Sequence, residues 1–176
     1  VPAYTHGPRP SDLYGRAEPP RLHPSLGRLS DLFAPERPLY THQVTAIERI
    51  QRGRNTVVAT GTGSGKTECF LLPVLDEVMR TEAPGVRAII VYPMNALAND
   101  QLERMRRLIG SSTVTFGRYT GQTPWTEDDV SHEMAEKAAR PNEKVTREEI
   151  RRDPPDIVVT NFAMLEYLLL RPQDQD

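Results

Sequence analysis

The chain has 176 residues, which fits one ordinary domain and allows a sizeable buried core. Its net charge of −2 provides no global positive field for nucleic acid or an anionic membrane, so any such contact must be local. Cys69 is the only cysteine, which excludes an intrachain disulfide and a cysteine metal cluster, and we expect it to be buried.

The termini and the apolar runs bear on localisation. No run approaches the roughly 18 apolar residues of a membrane span, and the start at Val1 lacks a secretory signal pattern. The start also lacks an initiator methionine, and Asp176 follows a helical run without a clear stop signal. We therefore expect a cytoplasmic segment of a longer protein, with no membrane partner.

Half of the chain's 16 prolines lie in residues 1–38. Each proline disfavours helix at the residue before it, so we expect an irregular N-terminal arm in which only residues 25–33 could form a short helix. From residue 39 the pattern changes. Apolar spacing then predicts a helix over 41–50, a strand over 55–60 and a helix over 68–80.

A glycine-rich loop joins that strand to the last of these helices, and it runs Thr60-Gly61-Thr62-Gly63-Ser64-Gly65-Lys66-Thr67. Glycines let successive N–H groups converge on one anion, and the helix start adds donors and the positive end of its dipole. Lys66 would reach the β- and γ-phosphates, and the Thr67 hydroxyl would hold Mg²⁺. Thr60 departs from the strict pattern, which has glycine there. The loop predicts binding of a nucleoside triphosphate, against the alternative of a flexible glycine turn with an incidental lysine.

Strands and helices alternate in the rest of the chain. A turn at 84–85 precedes a nearly continuous apolar strand over 86–92, as expected for a sheet covered on both faces. There follow a helix over 95–109, a strand over 113–119, a polar insertion over about 121–153 with one or two helices, a strand over 156–160 and a helix over 163–170. This alternation predicts an α/β domain with a parallel sheet flanked by helices, whose loop ends meet at one edge.

Ordered segments around the phosphate loop resemble a known family. They are Leu39-Tyr40-Thr41-His42-Gln43, residues 92–101 with Pro93-Met94-Asn95, residues 118–124 with Thr120-Gly121, and residues 160–165 beginning Thr160-Asn161. The series is similar to the first RecA-like domain of superfamily 2 helicases, and most similar to the bacterial DEAD/DEAH-box branch related to the MrfA-type DNA repair helicases. It runs from about Leu22 to the end and implies a RecA-like P-loop NTPase domain over residues 39–176.

The resemblance assigns roles on the nucleotide side. Gln43 matches the glutamine that reads adenine, because its amide can donate to N7 and accept from the N6 amino group; the alternative is a surface helix glutamine. Tyr40 could lie near the base or anchor the start of the helix. The residues expected to bind ATP and Mg²⁺ are Thr62, Gly63, Ser64, Gly65, Lys66 and Thr67, with Lys66 and Thr67 also expected to act in catalysis.

The resemblance also assigns contacts with nucleic acid, which we expect to be DNA rather than RNA. Pro93 and Asn95 align with a motif that touches the sugar–phosphate backbone, although Met94-Asn95 replaces the usual Thr-Arg pair and leaves main-chain amides as the expected donors. Gly121 would allow a close approach of phosphate with Thr120 as a hydroxyl donor, or would form an ordinary turn. Thr160 resembles the threonine that holds the strand's phosphate, and it can also be a helix N-cap.

A superfamily 2 motor needs further parts that are not found in this sequence. They are an Asp-Glu pair at the end of a strand, for Mg²⁺ and the attacking water, and a second RecA-like domain with arginine fingers. Asp76-Glu77 mimics the pair but lies in the helix that leaves the phosphate loop, so we interpret it as a solvated helix face. We interpret the arginine runs within 104–107 and 147–152 in the same way.

The resulting hypothesis is the ATP-binding part of an ATP-dependent nucleic-acid helicase or translocase. The expected cofactors are ATP and Mg²⁺, and the expected partners are nucleic acid and a second RecA-like domain of the parent chain. By itself this chain would bind ATP weakly and hydrolyse it negligibly. The alternative is a non-motor phosphate-loop switch or a nucleic-acid clamp.

Overall fold

The computed structural model describes residues 7–14, 22–29, 37–81, 83–109, 112–137 and 141–170. The chain divides into two compact units, residues 1–82 and residues 83–176.

The first unit is helical. Its elements are α1 (Pro10–Tyr14), a 3₁₀ helix (Pro24–Arg28), α2 (Thr41–Gln51) and α3 (Lys66–Arg80). The predicted helices over 41–50 and 68–80 are confirmed. The short helix predicted over 25–33 corresponds to the 3₁₀ helix as far as residue 29, whereas residues 30–33 lie outside the described residues. The sequence reasoning missed α1.

The core of this unit lies between α2 and α3, which pack against each other. The buried apolar side chains include Ala46 and Ile47 from α2, and Cys69, Leu71, Leu72, Leu75 and Val78 from α3. The apolar residues of α3 recur at helical spacing, so burying this stripe accounts for the helix. The expectation that Cys69 is buried is confirmed.

Part of the proline-rich arm is packed into the same core. Leu22 and Leu26 are fully buried, and the N–H of His23 donates to Oδ1 of Asp76 at 2.5 Å. Asp76 also accepts from Gln51 and forms an ion pair with Arg80. Asp76 is only 4% exposed, so its interpretation as a solvated helix position is wrong. Three donors offset the cost of burying the carboxylate.

The predicted strand over residues 55–60 is also wrong. The chain from 54 to 61 forms no strand in the described structure, and Val57 is 93% exposed. An apolar run supplies strand propensity, but a strand also needs a neighbouring backbone to pair with its N–H and C=O groups.

The second unit contains a parallel sheet with helices between its strands. Its elements are β1 (Ala88–Tyr92), α4 (Asn95–Ile109), β2 (Phe116–Tyr119), a 3₁₀ helix (Glu127–Asp129), α5 (His132–Lys137), β3 (Glu143–Lys144), α6 (Arg147–Arg152), β4 (Ile157–Asn161) and α7 (Phe162–Leu170). The strands are ordered β1-β4-β2-β3, and every pair is parallel. The predicted α/β class with a parallel sheet is confirmed.

Strand register in the second unit is held at the N-terminal edge of the sheet by Asp156. Its Oδ1 accepts from the guanidinium of Arg87, with 2.6 Å to Nη2, and its Oδ2 accepts from the N–H of Thr115 at 2.8 Å. These residues precede β1, β2 and β4. One carboxylate therefore joins the starts of three strands.

The burial of β1 differs from the prediction. Ile90 is buried, but Ile89 is 55% exposed and Val91 is 40% exposed. Successive side chains of a strand point to opposite faces, so one face of β1 is covered and the other is open among the described residues. The expectation of a sheet covered on both faces is wrong at this strand, which among the described residues pairs with β4 alone.

The polar insertion is more tightly integrated than a surface loop. The sequence reasoning missed β3, which pairs with β2 in the register Phe116↔Glu143 and Gly117↔Lys144. A Cβ on Gly117 would lie 2.9 Å from the carbonyl oxygen of Lys144, so only glycine permits this approach. Ile150 of α6 joins a core cluster with Tyr119 and other residues of this unit.

No helix in the described part of the chain is long and apolar enough to span a membrane.

Candidate functional sites

The phosphate loop has the backbone geometry that anion binding requires. Gly63 and Gly65 have φ angles of 73° and 74°, a left-handed conformation that side-chain-bearing residues rarely adopt. Gly65 caps α3, which begins at Lys66, so the free N–H groups of the first helical turn lie at the loop. Residues 61–63 are exposed. The residues present therefore fit a phosphate chain.

The Lys66 ammonium lies over its own loop. Its Nζ donates to the carbonyl oxygen of Thr60 at 3.0 Å and to that of Gly61 at 2.6 Å. Thr60 departs from the strict glycine pattern, and its hydroxyl lies 2.6 Å from the hydroxyl of the buried Ser64. The departure therefore adds a side-chain bond that ties the two halves of the loop together.

Two consecutive side chains of α2 hold two consecutive carbonyl groups of the loop. Nε2 of Gln43 donates to the Gly65 oxygen at 3.0 Å, and Nε2 of His42 lies 2.9 Å from the Ser64 oxygen. Oε1 of Gln43 accepts the N–H of Tyr40 at 2.8 Å, which fixes the amide orientation. Sequence reasoning found Gln43 and missed His42, whose only signal was its place in the same short segment.

Tyr40 precedes the first residue of α2, and its ring stacks on that of His42 with the centroids 5.6 Å apart. This position fits the anchoring role among the two that the sequence allowed. Contact with a base stays a prediction. Gln43 is 5% exposed, so it is not a surface helix residue.

The remaining loop residues have different surroundings. Thr62 is exposed, while Thr67, the second residue of α3, is partly buried. Cys69 lies two residues further along α3, with Sγ donating to the Gly65 oxygen at 3.7 Å. Burial, and then the charge of Glu68, raise the pKa of this thiol, so Cys69 stays protonated and serves packing.

In the second unit, the predicted nucleic-acid residues lie at or just beyond adjacent strand ends. The register pairs Tyr92 with Asn161 and Tyr119 with Thr160, so the carboxyl ends of β1, β4 and β2 lie side by side. A cleft of about 380 Å³ opens at this edge. Its lining includes Asn95, Gly121, Arg147, Asn161, Met164 and Tyr167.

Two asparagines of the cleft hold each other in place. Nδ2 of Asn161 donates to Oδ1 of Asn95 at 2.5 Å, and Oδ1 of Asn161 accepts the N–H of Met164 at 2.7 Å. Asn161 is therefore the side-chain cap at the start of α7, a role that sequence reasoning gave to Thr160. Asparagine before a helical run was the signal for this cap.

The two predicted threonines are buried and already bonded. Thr160 donates its hydroxyl to the carbonyl of Tyr119 at 2.6 Å. The Thr120 hydroxyl accepts the N–H of Gln122 at 3.3 Å. Neither residue is more than 1% exposed, so in this structure both side chains stabilise the backbone at the carboxyl edge of the sheet. Their direct contact with phosphate stays a prediction.

Gly121 and Pro93 occupy accessible positions. Gly121 is exposed, and a Cβ added there would meet nothing within 4 Å, so the fold itself does not require glycine. Pro93 is exposed between β1 and α4. Both remain predicted contacts with nucleic acid.

Arg147 is a residue of the cleft that sequence reasoning missed. It is only 9% exposed, and Nη2 donates to the Thr120 carbonyl at 3.0 Å. The interpretation of its arginine run as a solvated face is wrong at this position. It is equally wrong at Arg106, which forms a close ion pair with Glu143 at 2.6 Å. The pattern Thr146-x-x-Glu149, a capping box, was the signal that places Arg147 at a helix start.

Comparison with known proteins identifies the family. A sequence profile described as "DEAD/DEAH box helicase" matches residues 40–175. The chain belongs to the DEAD/DEAH box helicase family. This membership confirms the resemblance to the first RecA-like domain of superfamily 2 helicases.

Two curated relatives are similar to this DEAD/DEAH box chain. The Druantia protein DruE of Escherichia coli (strain UMEA 4076-1) is 29% identical, over 80% of this chain and 12% of that protein. An uncharacterized ATP-dependent helicase, YprA of Bacillus subtilis (strain 168), is 32% identical, over 75% of this chain and 15% of that protein.

A solved structure is also similar to this DEAD/DEAH box chain. It is described as the DUF1998 helicase MrfA bound to DNA and AMPPNP, with a TM-score of 0.64, 27% identity, and coverage of 92% of this chain and 19% of that chain. The likeness supports the expected MrfA-type branch and the RecA-like fold. This chain thus spans between 12% and 19% of the three proteins.

Proposed function

We propose that this chain is the ATP-binding part of an ATP-dependent helicase or translocase that moves along nucleic acid, DNA rather than RNA. The observation that carries the proposal is the phosphate loop and its contact with Gln43. Two left-handed glycines, a helix start and Lys66 form a site for an anion. Gln43 donates to the loop and is itself oriented by its bond from the N–H of Tyr40. MrfA, a structural neighbour, is described as bound to DNA and AMPPNP, which favours ATP and DNA as ligands here.

In this proposal, Thr62, Gly63, Ser64 and Gly65 supply amides to the triphosphate, and Lys66 moves its ammonium from the loop carbonyls to the phosphates. The Thr67 hydroxyl contributes to binding of Mg²⁺, which would neutralise phosphate charge. Gln43 still has one amide hydrogen and one lone pair beyond the bonds described, enough to pair with adenine N7 and N6.

The cleft at the ends of β1, β2 and β4 is the proposed track for one strand. Asn95 and Gly121 line it, and Pro93 lies in the short connection from β1 to α4, just before Asn95. Contacts of this kind reach phosphates and sugars, so they carry little sequence preference. Movement along the strand requires a second RecA-like domain, because coupling needs two states with different affinity for the strand.

The test is nucleotide and strand binding by the 176-residue chain. We expect it to bind ATP more tightly than GTP, to lose ATP when Mg²⁺ is chelated, and to bind single-stranded DNA at low salt. Equal affinity for ATP and GTP would remove the role of Gln43. The chain should hydrolyse ATP negligibly, and robust nucleic-acid-stimulated turnover would contradict the need for a second domain.

A further inference from the structure

Trp125 is the only tryptophan of the chain, and 54% of it is exposed. It follows Thr120 and Gly121 by only a few residues in the same loop. Burying an aromatic side chain of this size is worth a few kcal/mol, so a ligand that covers the exposed ring would gain affinity. The indole is therefore a candidate contact surface.

Backbone bonds fix the position of this tryptophan. The Trp125 carbonyl accepts the N–H of Glu148 at 3.1 Å, and the carbonyl of Pro124 accepts the N–H of Arg147 at 2.8 Å. The helix that donates these two N–H groups, α6, is itself capped by the reciprocal bonds of Thr146 and Glu149. The backbone that carries the indole is thus bonded to the start of α6, which reduces the backbone entropy lost when a ligand contacts the ring.

Two arginine side chains lie over the ring. Cζ of Arg147 lies 4.4 Å from the Trp125 centroid and 5.5 Å from the Tyr119 centroid, and Cζ of Arg151 lies 5.7 Å from the Trp125 centroid. Nucleobases stack on the planes of indole rings and guanidinium groups. Every base has a π-face, so such stacking needs no particular base.

Arg147 connects this ring to the cleft. Its guanidinium contacts Trp125, and the residue also lines the cleft beside Gly121 and Asn161. Its Nε is buried and has no hydrogen-bond partner among the described residues. The same side chain can therefore favour an anionic backbone in the cleft while it supports an aromatic platform.

We propose that Trp125, supported by Arg147 and Arg151, is a stacking site for one base of a single strand whose backbone lies in the cleft. The proposal rests on the proposed function, because it requires a strand at that cleft. Stacking of this kind tolerates any base and adds affinity to backbone contacts. The stacking site would give the polar insertion a contact with the bases, in addition to the contacts that the cleft makes with the phosphates.

The test compares a fluorescently labelled oligothymidine with an abasic deoxyribose–phosphate strand of equal length, at low salt, by anisotropy. The unmutated chain should bind oligothymidine about tenfold more tightly. Trp125→Ala should abolish that difference and leave abasic affinity unchanged, whereas Trp125→Phe should keep most of it. Arg151→Ala should weaken oligothymidine binding more than Arg152→Ala, the matched control on the exposed end of α6.

Trp125 emission gives a second readout that needs no variant, since the chain has no other tryptophan. Oligothymidine should quench it and the abasic strand should not; unchanged emission on binding of oligothymidine overturns the stacking site even if the Ala variant fails to fold. If the chain binds both strands equally and Trp125→Ala changes neither affinity, the stacking site is overturned, but the cleft is still supported as the site of backbone binding. Binding of neither strand removes the proposed nucleic-acid function and the stacking site with it.

Discussion

Gln43 and Gly65 are in direct contact: Nε2 of Gln43 donates to the Gly65 oxygen at 3.0 Å, and a Cβ on Gly65 would lie 2.3 Å from that nitrogen. The φ angle of Gly65, +74°, independently disfavours a side chain. Two separate constraints thus keep this position glycine. The residue proposed to read the base is mechanically connected to the loop proposed to hold the phosphates.

Gly65→Ala should destabilise the chain more than Gly53→Ala. Gly53 has a φ of +68° with open space around an added Cβ, so its variant reports conformational strain alone, roughly 1–2 kcal/mol. Gly65→Ala adds the displacement of Gln43 and the loss of its bonds, about 1 kcal/mol for each. Urea unfolding of both variants measures the difference. Equal losses would mean that Gln43 moves aside without cost.

Lys66→Ala should abolish nucleotide binding while the chain remains folded. The ammonium contacts only carbonyl groups of its own loop, Thr60 and Gly61, among the bonds described for it. Its removal should therefore cost little stability but eliminate the cation proposed to bind the phosphates. Binding of a fluorescent ATP analogue is the measurement, and Lys144→Ala, whose ammonium pairs with Asp153, is the control. ATP binding that survives in Lys66→Ala would exclude the proposed role.

Gly121→Ala should weaken binding of nucleic acid without changing the fold. An added Cβ meets nothing within 4 Å, so the unfolding free energy should stay within about 0.5 kcal/mol. A phosphate that approaches the main chain closely would meet this methyl group. Anisotropy of a labelled single strand measures the loss, with the exposed neighbour Gln122→Ala as the control. Unchanged affinity would favour the ordinary-turn interpretation.

The start of α6 should loosen in acid through Glu149. Burial alone would raise the pKa of this carboxyl, but the N–H groups of Thr146 and Val145 hold the pKa below its ordinary value of 4.5. The stabilisation is therefore fully present above pH 4.5 and is lost as the pH falls through the lower folded-state pKa. Glu149→Gln should show a smaller drop in unfolding free energy between about pH 6 and pH 3 than the unmutated chain.

The control for the acid experiment is Glu148→Gln, which alters an exposed carboxylate on the same helix turn. It should retain the pH dependence of the unmutated chain. Identical acid profiles for Glu149→Gln and the unmutated chain would show that this capping box does not respond to protonation.

Local pattern was enough to predict the helices and the phosphate loop. The helices α2, α3, α4 and α7 follow from apolar periodicity, and the loop follows from glycine spacing, because both depend on residues close in sequence. The parallel sheet followed from the alternation of elements. Gln43 could be predicted only through its resemblance to a family motif.

Long-range contacts decided what sequence reasoning missed. The run over 55–60 has strand composition but no pairing partner among the described residues. The short β3 forms because it can pair with β2 at Gly117, which has no side chain. Packing in the folded chain also buries Thr120 and Thr160, which the sequence predicted as contacts with nucleic acid.

The residues themselves determined where an anion can bind: glycines at left-handed positions, followed at once by a lysine and a helix. The sequence also pointed to Asn95 and Gly121 at the second site, but the tertiary structure decided which other side chains line it. Asn161 and Arg147 reach the cleft because parallel strands end at one edge and α6 returns to it, although these residues are distant in sequence. Periodicity reports neighbours along a chain, whereas a cleft is made by neighbours in space.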